Sequence, residues 1–154
     1  MTVLLHHPQR PAAVTWLGYG GLLPFVALAT ACVAWPAGRA QWWTPALIGY
    51  GAVILSFVGA LHWGFAMTAQ DMPPDKRRNS FVWSVVPALM AWPALLLPTP
   101  WAVALLIAGF VAHLARDLQL RECTTLAPWY LRLRLQLTTV ACLCLALGGW
   151  ASTR

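Results

Sequence analysis

Two histidines stand inside long apolar runs, where chemistry is costly to place. His62 sits in Ala60-Leu61-His62-Trp63-Gly64, and His113 lies toward the end of another run. Lipid does not solvate an imidazole, so an ionisable residue at such a position is a functional candidate. Gly109, His113 and Asp117 follow i, i+4, i+8 and share one face of a helix. On that face Gly109 leaves space beside the imidazole. Asp117 can accept a hydrogen bond from it, and Arg116 can pair with Asp117 or snorkel to headgroups. Two imidazoles from two helices could ligate a haem iron or a metal, contact a quinone carbonyl, or carry protons. The structural reading is that each makes one interhelical hydrogen bond, as polar residues commonly do in membrane bundles. No third or fourth metal ligand and no CxxCH accompanies them, so no metal or cofactor is expected. Haem or quinone remains the alternative.

A second polar concentration is Pro128-Trp129-Tyr130-Leu131-Arg132-Leu133-Arg134-Leu135-Gln136. On a helix Arg132 and Arg134 point different ways, while Tyr130 and Arg134 share a face. Trp, Tyr and Arg in such a segment anchor a helix at the membrane interface. They could also line a basic pocket for a lipid headgroup, joined by Lys76, Arg77 and Arg78. Ser84 lies just beyond that cluster and is a further candidate partner for His62. The candidate ligand-binding set is therefore His62, His113, Asp117, Tyr130, Arg134 and Ser84. The candidate headgroup set is Lys76, Arg77, Arg78 and Arg132. No catalytic constellation stands out, and an enzyme is not expected. His62 itself should face the bundle interior, with Gly59 and Ala66 on its side.

These residues must be held by membrane helices. The chain has 154 residues, of which 60% are hydrophobic and 9% charged, and its mean hydropathy is +0.65. Soluble domains carry about 25% charged residues. The spacing predicts a single all-α polytopic membrane domain over residues 1–154. Its five spans are expected at about 12–35, 44–69, 80–97, 101–115 and 133–150. Pro36-Ala37-Gly38, Met72-Pro73-Pro74 and Pro98-Thr99-Pro100 read as turns. Pro24, Pro87 and Pro93 should kink their helices. Ala104, Ala108 and Ala112, and Ser56, Gly59 and Ala60, read as stripes for helix contact.

Charge gives a direction. Of the 10 Lys and Arg residues, Arg10, Lys76, Arg77, Arg78, Arg116, Arg121, Arg132 and Arg134 fall on one side of a five-span arrangement. Arg39 and Arg154 fall on the other. The positive-inside rule then places the N-terminus in the cytoplasm and the C-terminus outside. Tryptophans agree: Trp35, Trp42, Trp43, Trp101 and Trp150 fall near the outer interface, and Trp16, Trp83 and Trp129 near the inner one. The net charge of +6 does not indicate nucleic-acid binding, because the basic residues flank apolar spans. The first run is too long, and too broken by Pro24 and its glycines, for a signal peptide. Cys142-Leu143-Cys144 suggests Cu(I), but positions i and i+2 diverge on a helix, which favours packing. Cys123 is expected in a cytoplasmic loop.

In order along the chain, four stretches carry a resemblance. They are Leu17-Gly18-Tyr19-Gly20-Gly21-Leu22-Leu23-Pro24-Phe25, Ser56-Phe57-Val58-Gly59-Ala60-Leu61-His62-Trp63-Gly64, Ser84-Val85-Val86-Pro87 through Trp92, and Pro128-Trp129-Tyr130-Leu131-Arg132-Leu133-Arg134. Together they resemble the transmembrane protein 69-like family (domain of unknown function 3429). The resemblance implies a small inner-membrane protein, bacterial or mitochondrial, with no established activity to carry over. The short N-terminus lacks an Arg- and Ser-rich transit peptide, so a bacterial inner membrane is the expected location. Three functions follow as expectations. The first is a non-enzymatic accessory, assembly or partner- and lipid-binding component in contact with the bilayer and other membrane proteins. The second is a haem-, quinone- or small-ligand-binding protein using His62 and His113. The third is a small transporter or proton pathway formed by a homo-oligomer.

Overall fold

The computed structural model describes residues 11–34, 37–122 and 124–154, with the side chains of 37–41 outside the description. Arg10, Trp35, Cys123 and the side chain of Arg39, on which expectations above fell, lie outside the described residues. Among those described, all regular structure is helical. The elements are α1 (Ala12–Gly20), α2 (Leu23–Ala34), α3 (Ala37–Thr68), α4 (Pro74–Ala94), α5 (Thr99–Leu120) and α6 (Tyr130–Ala151). Long apolar runs become helices because a helix satisfies every interior N–H and C=O within itself, which a lipid environment demands.

Among the described residues four stretches, not five, are long and apolar enough to cross a membrane: Ala12–Ala34, Trp42–Thr68, Thr99–Leu120 and Tyr130–Ala151. The expected span at 80–97 is the one that differs. Its helix begins earlier, at Pro74, so Asp75, Lys76, Arg77 and Arg78 occupy its first turns. It ends at Ala94, so Leu95, Leu96 and Leu97 add apolarity outside the helix. The first span is two helices. Pro24 has no N–H to give to Gly20; the turn tightens instead, with Leu22 N–H bonding to the Tyr19 carbonyl at 3.0 Å. Pro24 therefore opens α2 rather than kinking a continuous helix. Ala37 and Gly38, read as turn, open α3. The helix expected to stop at Ala115 runs to Leu120, which carries Asp117 inside it.

α3 packs along α4, α2 sits on α3 and α6, and α5 contacts α3, α4 and α6. The core holds Phe25, Leu47, Leu55, Leu106, Phe110 and Leu145. Close approach explains Gly59: a Cβ there would lie 2.9 Å from Pro87 Cγ and 2.9 Å from the Ser84 carbonyl. Ala60, Ala104 and Ala108, read as contact stripes, face the outer surface instead. The buried face of α5 carries Ala102, Leu106, Gly109, Phe110, His113 and Asp117.

The end of α3, the start of α4, the end of α5 and the start of α6 meet at one pole. Arg77 joins the first two. Its Nη1 donates to the Ala66 carbonyl at 3.0 Å and its Nη2 to the Ala69 carbonyl at 2.8 Å. These carbonyls belong to the last turn of α3 and its continuation, where a cation is favoured. Asp71, between α3 and α4, ties that connection to the one between α5 and α6. It accepts from the Thr124 hydroxyl at 2.5 Å and from the Thr125 N–H at 2.9 Å.

Candidate functional site

Asp117 is the centre of the polar pole. Its side chain is wholly buried on α5, a placement that needs compensation. Compensation comes from two other helices. Arg134 Nε on α6 donates to Oδ2 at 2.7 Å. On α3, His62 Nε2 lies 3.1 Å from Oδ1, and as the N–H tautomer it donates there. The Tyr130 hydroxyl donates to the same oxygen at 3.2 Å. His113 Nε2 is farther, at 3.9 Å. The His113 ring stands nearly perpendicular to that of His62, with centroids 4.9 Å apart. Its Nδ1 accepts from Trp83 Nε1–H on α4 at 3.2 Å, which leaves the proton of the neutral ring on Nε2. Arg116 lies over the Trp83 ring at 5.0 Å.

Helix periodicity produces this convergence. His113 and Asp117 are one turn apart on α5, and Tyr130 and Arg134 are one turn apart on α6. Position 62 continues the inward face of α3 that Leu55, Val58 and Gly59 begin. Arg134 turns inward and is 5% exposed, while Arg132 points outward.

The structure thus brings together His62, His113, Asp117, Tyr130 and Arg134. Ser84 stays apart: it is buried, but its hydroxyl donates to the Phe81 carbonyl at 2.6 Å. Arg116 does not pair with Asp117. Its Nη1 donates to Gln119 Oε1 at 2.9 Å, because one residue along a helix turns it about 100° away. The space at Gly109 belongs to Leu55, whose Cδ2 would lie 2.6 Å from an added Cβ. Of the headgroup candidates, Arg77 is committed to the end of α3. Lys76 lines a small pocket of about 40 Å³ with His62, Asn79, Ser80, Arg116 and Gln119. Arg132 lines an open groove of about 770 Å³ with Asp71, Arg121 and Glu122, and Arg78 is exposed. Trp83, expected near the inner interface, turns its indole N–H toward His113. Thr138 is a further buried polar residue, 4% exposed. Its spacing of four from Arg134 was the signal for it.

His62, His113 and Asp117 offer ligand atoms within 4.8 Å of one another, a separation a metal ion could bridge. The donor set does not fit one. Both carboxylate oxygens already accept from protein donors, and the Arg134 guanidinium lies where a cation's charge would be opposed. The pocket beside His62 is also lined by Lys76 and Arg116. Nor does the 4.9 Å ring spacing leave room for a macrocycle between the imidazoles.

The family described as protein of unknown function (DUF3429) matches residues 10–149. The chain is similar to transmembrane protein 69 of Xenopus tropicalis, with 37% identity over 140 residues. That alignment covers 86% of this chain and 52% of the relative, so the chain spans about half the length of the curated protein it matches. No solved structure matches the chain.

Proposed function

The chain belongs to the DUF3429 family of membrane proteins, and from that premise we propose that it is a non-enzymatic accessory component that binds other membrane proteins. One observation carries this reading. The carboxylate of Asp117, the most deeply placed charge, is spent on donors from α3 and α6. A carboxylate so engaged cross-links helices and offers nothing to a substrate. At the same pole Lys76, Arg78, Arg121 and Arg132 are exposed. That surface suits contact with an acidic partner surface and with anionic headgroups. The same concentration of cations supports a cytoplasmic placement of the pole, in a bacterial inner membrane.

The test is recovery of the tagged chain from its native membrane in gentle detergent after brief cross-linking. A defined partner in constant ratio is expected, and its yield should fall when Lys76, Arg78 and Arg132 are replaced by Gln. Repeated recovery of the chain alone would overturn the reading. Cysteine-labelling reagents that do not cross membranes read the orientation. A single Cys at position 132 should react only in opened vesicles.

A second reading, a small ligand between His62 and His113, is favoured by His62 Nδ1 and His113 Nε2. Both are buried without a hydrogen-bond partner. The adjoining volume of about 40 Å³ admits a ligand of a few atoms. An optical spectrum and mass spectrum of the purified protein separate the two readings.

A further inference from the structure

A second pair of unpartnered polar atoms lies on the far side of the ion pair, in a different setting. A cavity of about 120 Å³ opens between α1, α2, α3, α5 and α6. Its walls are carbon, with Leu17, Phe25, Phe57, Phe110 and Leu137 among them. Two polar side chains also line it, Arg134 and Thr138, one turn apart on α6. They are 5% and 4% exposed. Arg134 Nε is used by Asp117, but Arg134 Nη2 and Thr138 Oγ1 have no partner. Buried donors are rarely left so, because the lost solvation is not returned.

From this arrangement we propose that the cavity binds a lipophilic molecule through one neutral carbonyl oxygen, held by Arg134 Nη2 and Thr138 Oγ1. Charge selects the neutral acceptor. Arg134 and Asp117 already cancel, so a carboxylate would add an uncompensated negative charge in a low-dielectric site. A carbonyl fills both donors and leaves the sum unchanged. Size agrees with a ring or a short chain segment, since an engineered apolar cavity of about 150 Å³ takes benzene. Entry is from the bilayer: Leu17 and Phe57 line the cavity and are also 77% and 64% exposed on the outer surface. The carbonyl could be the ring ketone of a quinone or the ester of a phospholipid chain. The site does not depend on His62, His113 or a partner protein.

The experiment places the full chain in nanodiscs of two kinds, ester-linked and ether-linked phospholipid, the second lacking ester carbonyls. A benzoquinone with a ten-carbon tail is the probe, and retained quinone per protein is read after gel filtration. About one equivalent should be retained in ether-lipid discs. Thr138→Val, nearly isosteric, should weaken retention roughly fivefold. Ile54→Phe, which fills the cavity without touching a donor, should abolish it and serves alone if the first variant does not fold. Retention in both lipids assigns the site to a free carbonyl compound. Retention in ether lipid only assigns it to the phospholipid ester. No retention in either lipid, or retention unchanged by both variants, overturns the proposal.

Discussion

Arg134 Nε donates to Asp117 Oδ2 at 2.7 Å, and the two side chains are 6% and 0% exposed. The pair ties α6 to α5 at the depth where His62 ties α3 to the same carboxylate. Its value is conditional. An apolar pair of the same volume can be as stable, but removing one partner strands a buried charge. Asp117→Ala should therefore destabilise the bundle by about 3–5 kcal/mol, read by thermal unfolding in a fixed detergent. Arg134→Met should cost a similar amount. Combining Asp117→Leu with Arg134→Met should recover most of the loss. A double variant as unstable as the sum of the singles would show that the two residues do not act as a pair.

His62 contributes a hydrogen bond to Asp117 Oδ1. His62→Ala leaves Asp117 Oδ1 with Tyr130 alone and should cost roughly 1–3 kcal/mol. His62→Gln can still reach Oδ1 with an amide N–H and should recover part of that. Equal stability of Ala and wild type would remove His62 from the cross-link.

Gly59 sets the distance between α3 and α4. A Cβ added there meets the Pro87 ring and the Ser84 backbone at 2.9 Å, and neither is a flexible side-chain end. Gly59→Ala should cost roughly 1–3 kcal/mol by overpacking, whereas Gly64→Ala, with nothing within 4 Å, should be neutral or stabilising. Unfolding midpoints of the two variants measured side by side check this, and equal shifts would refute it.

Much of this arrangement was legible because helix period and lipid cost act locally. The inward face of α6 follows from the spacing of Tyr130 and Arg134, and that of α5 from His113 and Asp117. The partner of Asp117 was not legible. Arg116 is adjacent in sequence, while His62 and Arg134 come from other helices, and only packing brings them close. The span count failed at α4 because hydropathy alone does not locate a helix end. Pro73 and Pro74 start the helix within the charged segment, so Asp75, Lys76, Arg77 and Arg78 enter it while Leu95, Leu96 and Leu97 fall beyond its end. The alanine stripe failed because small residues permit close contact on any face. Leu106 and Phe110, not Ala104 and Ala108, turn α5 toward the core.

The contact between Asp71 and the segment after α5 carries its own pH dependence. Asp71 is exposed, and its carboxyl is held down to about 2 by the Thr124 hydroxyl first and the Thr125 N–H second. An unperturbed Asp titrates near about 3.9. The folded value is the lower one, so the ionised group stabilises the contact above the ordinary value. That contribution is lost as pH falls from about 4 through about 2. A carboxyl carbon titration of Asp71 should inflect near the lower value, and Thr124→Val, which removes the largest cause, should move it back toward the ordinary range. Asp71→Ala should speed tryptic cleavage after Arg121 at neutral pH while the helices stay protected. An inflection at the ordinary value in the wild type, or cleavage unchanged by Asp71→Ala, would show that the carboxylate does not hold this segment.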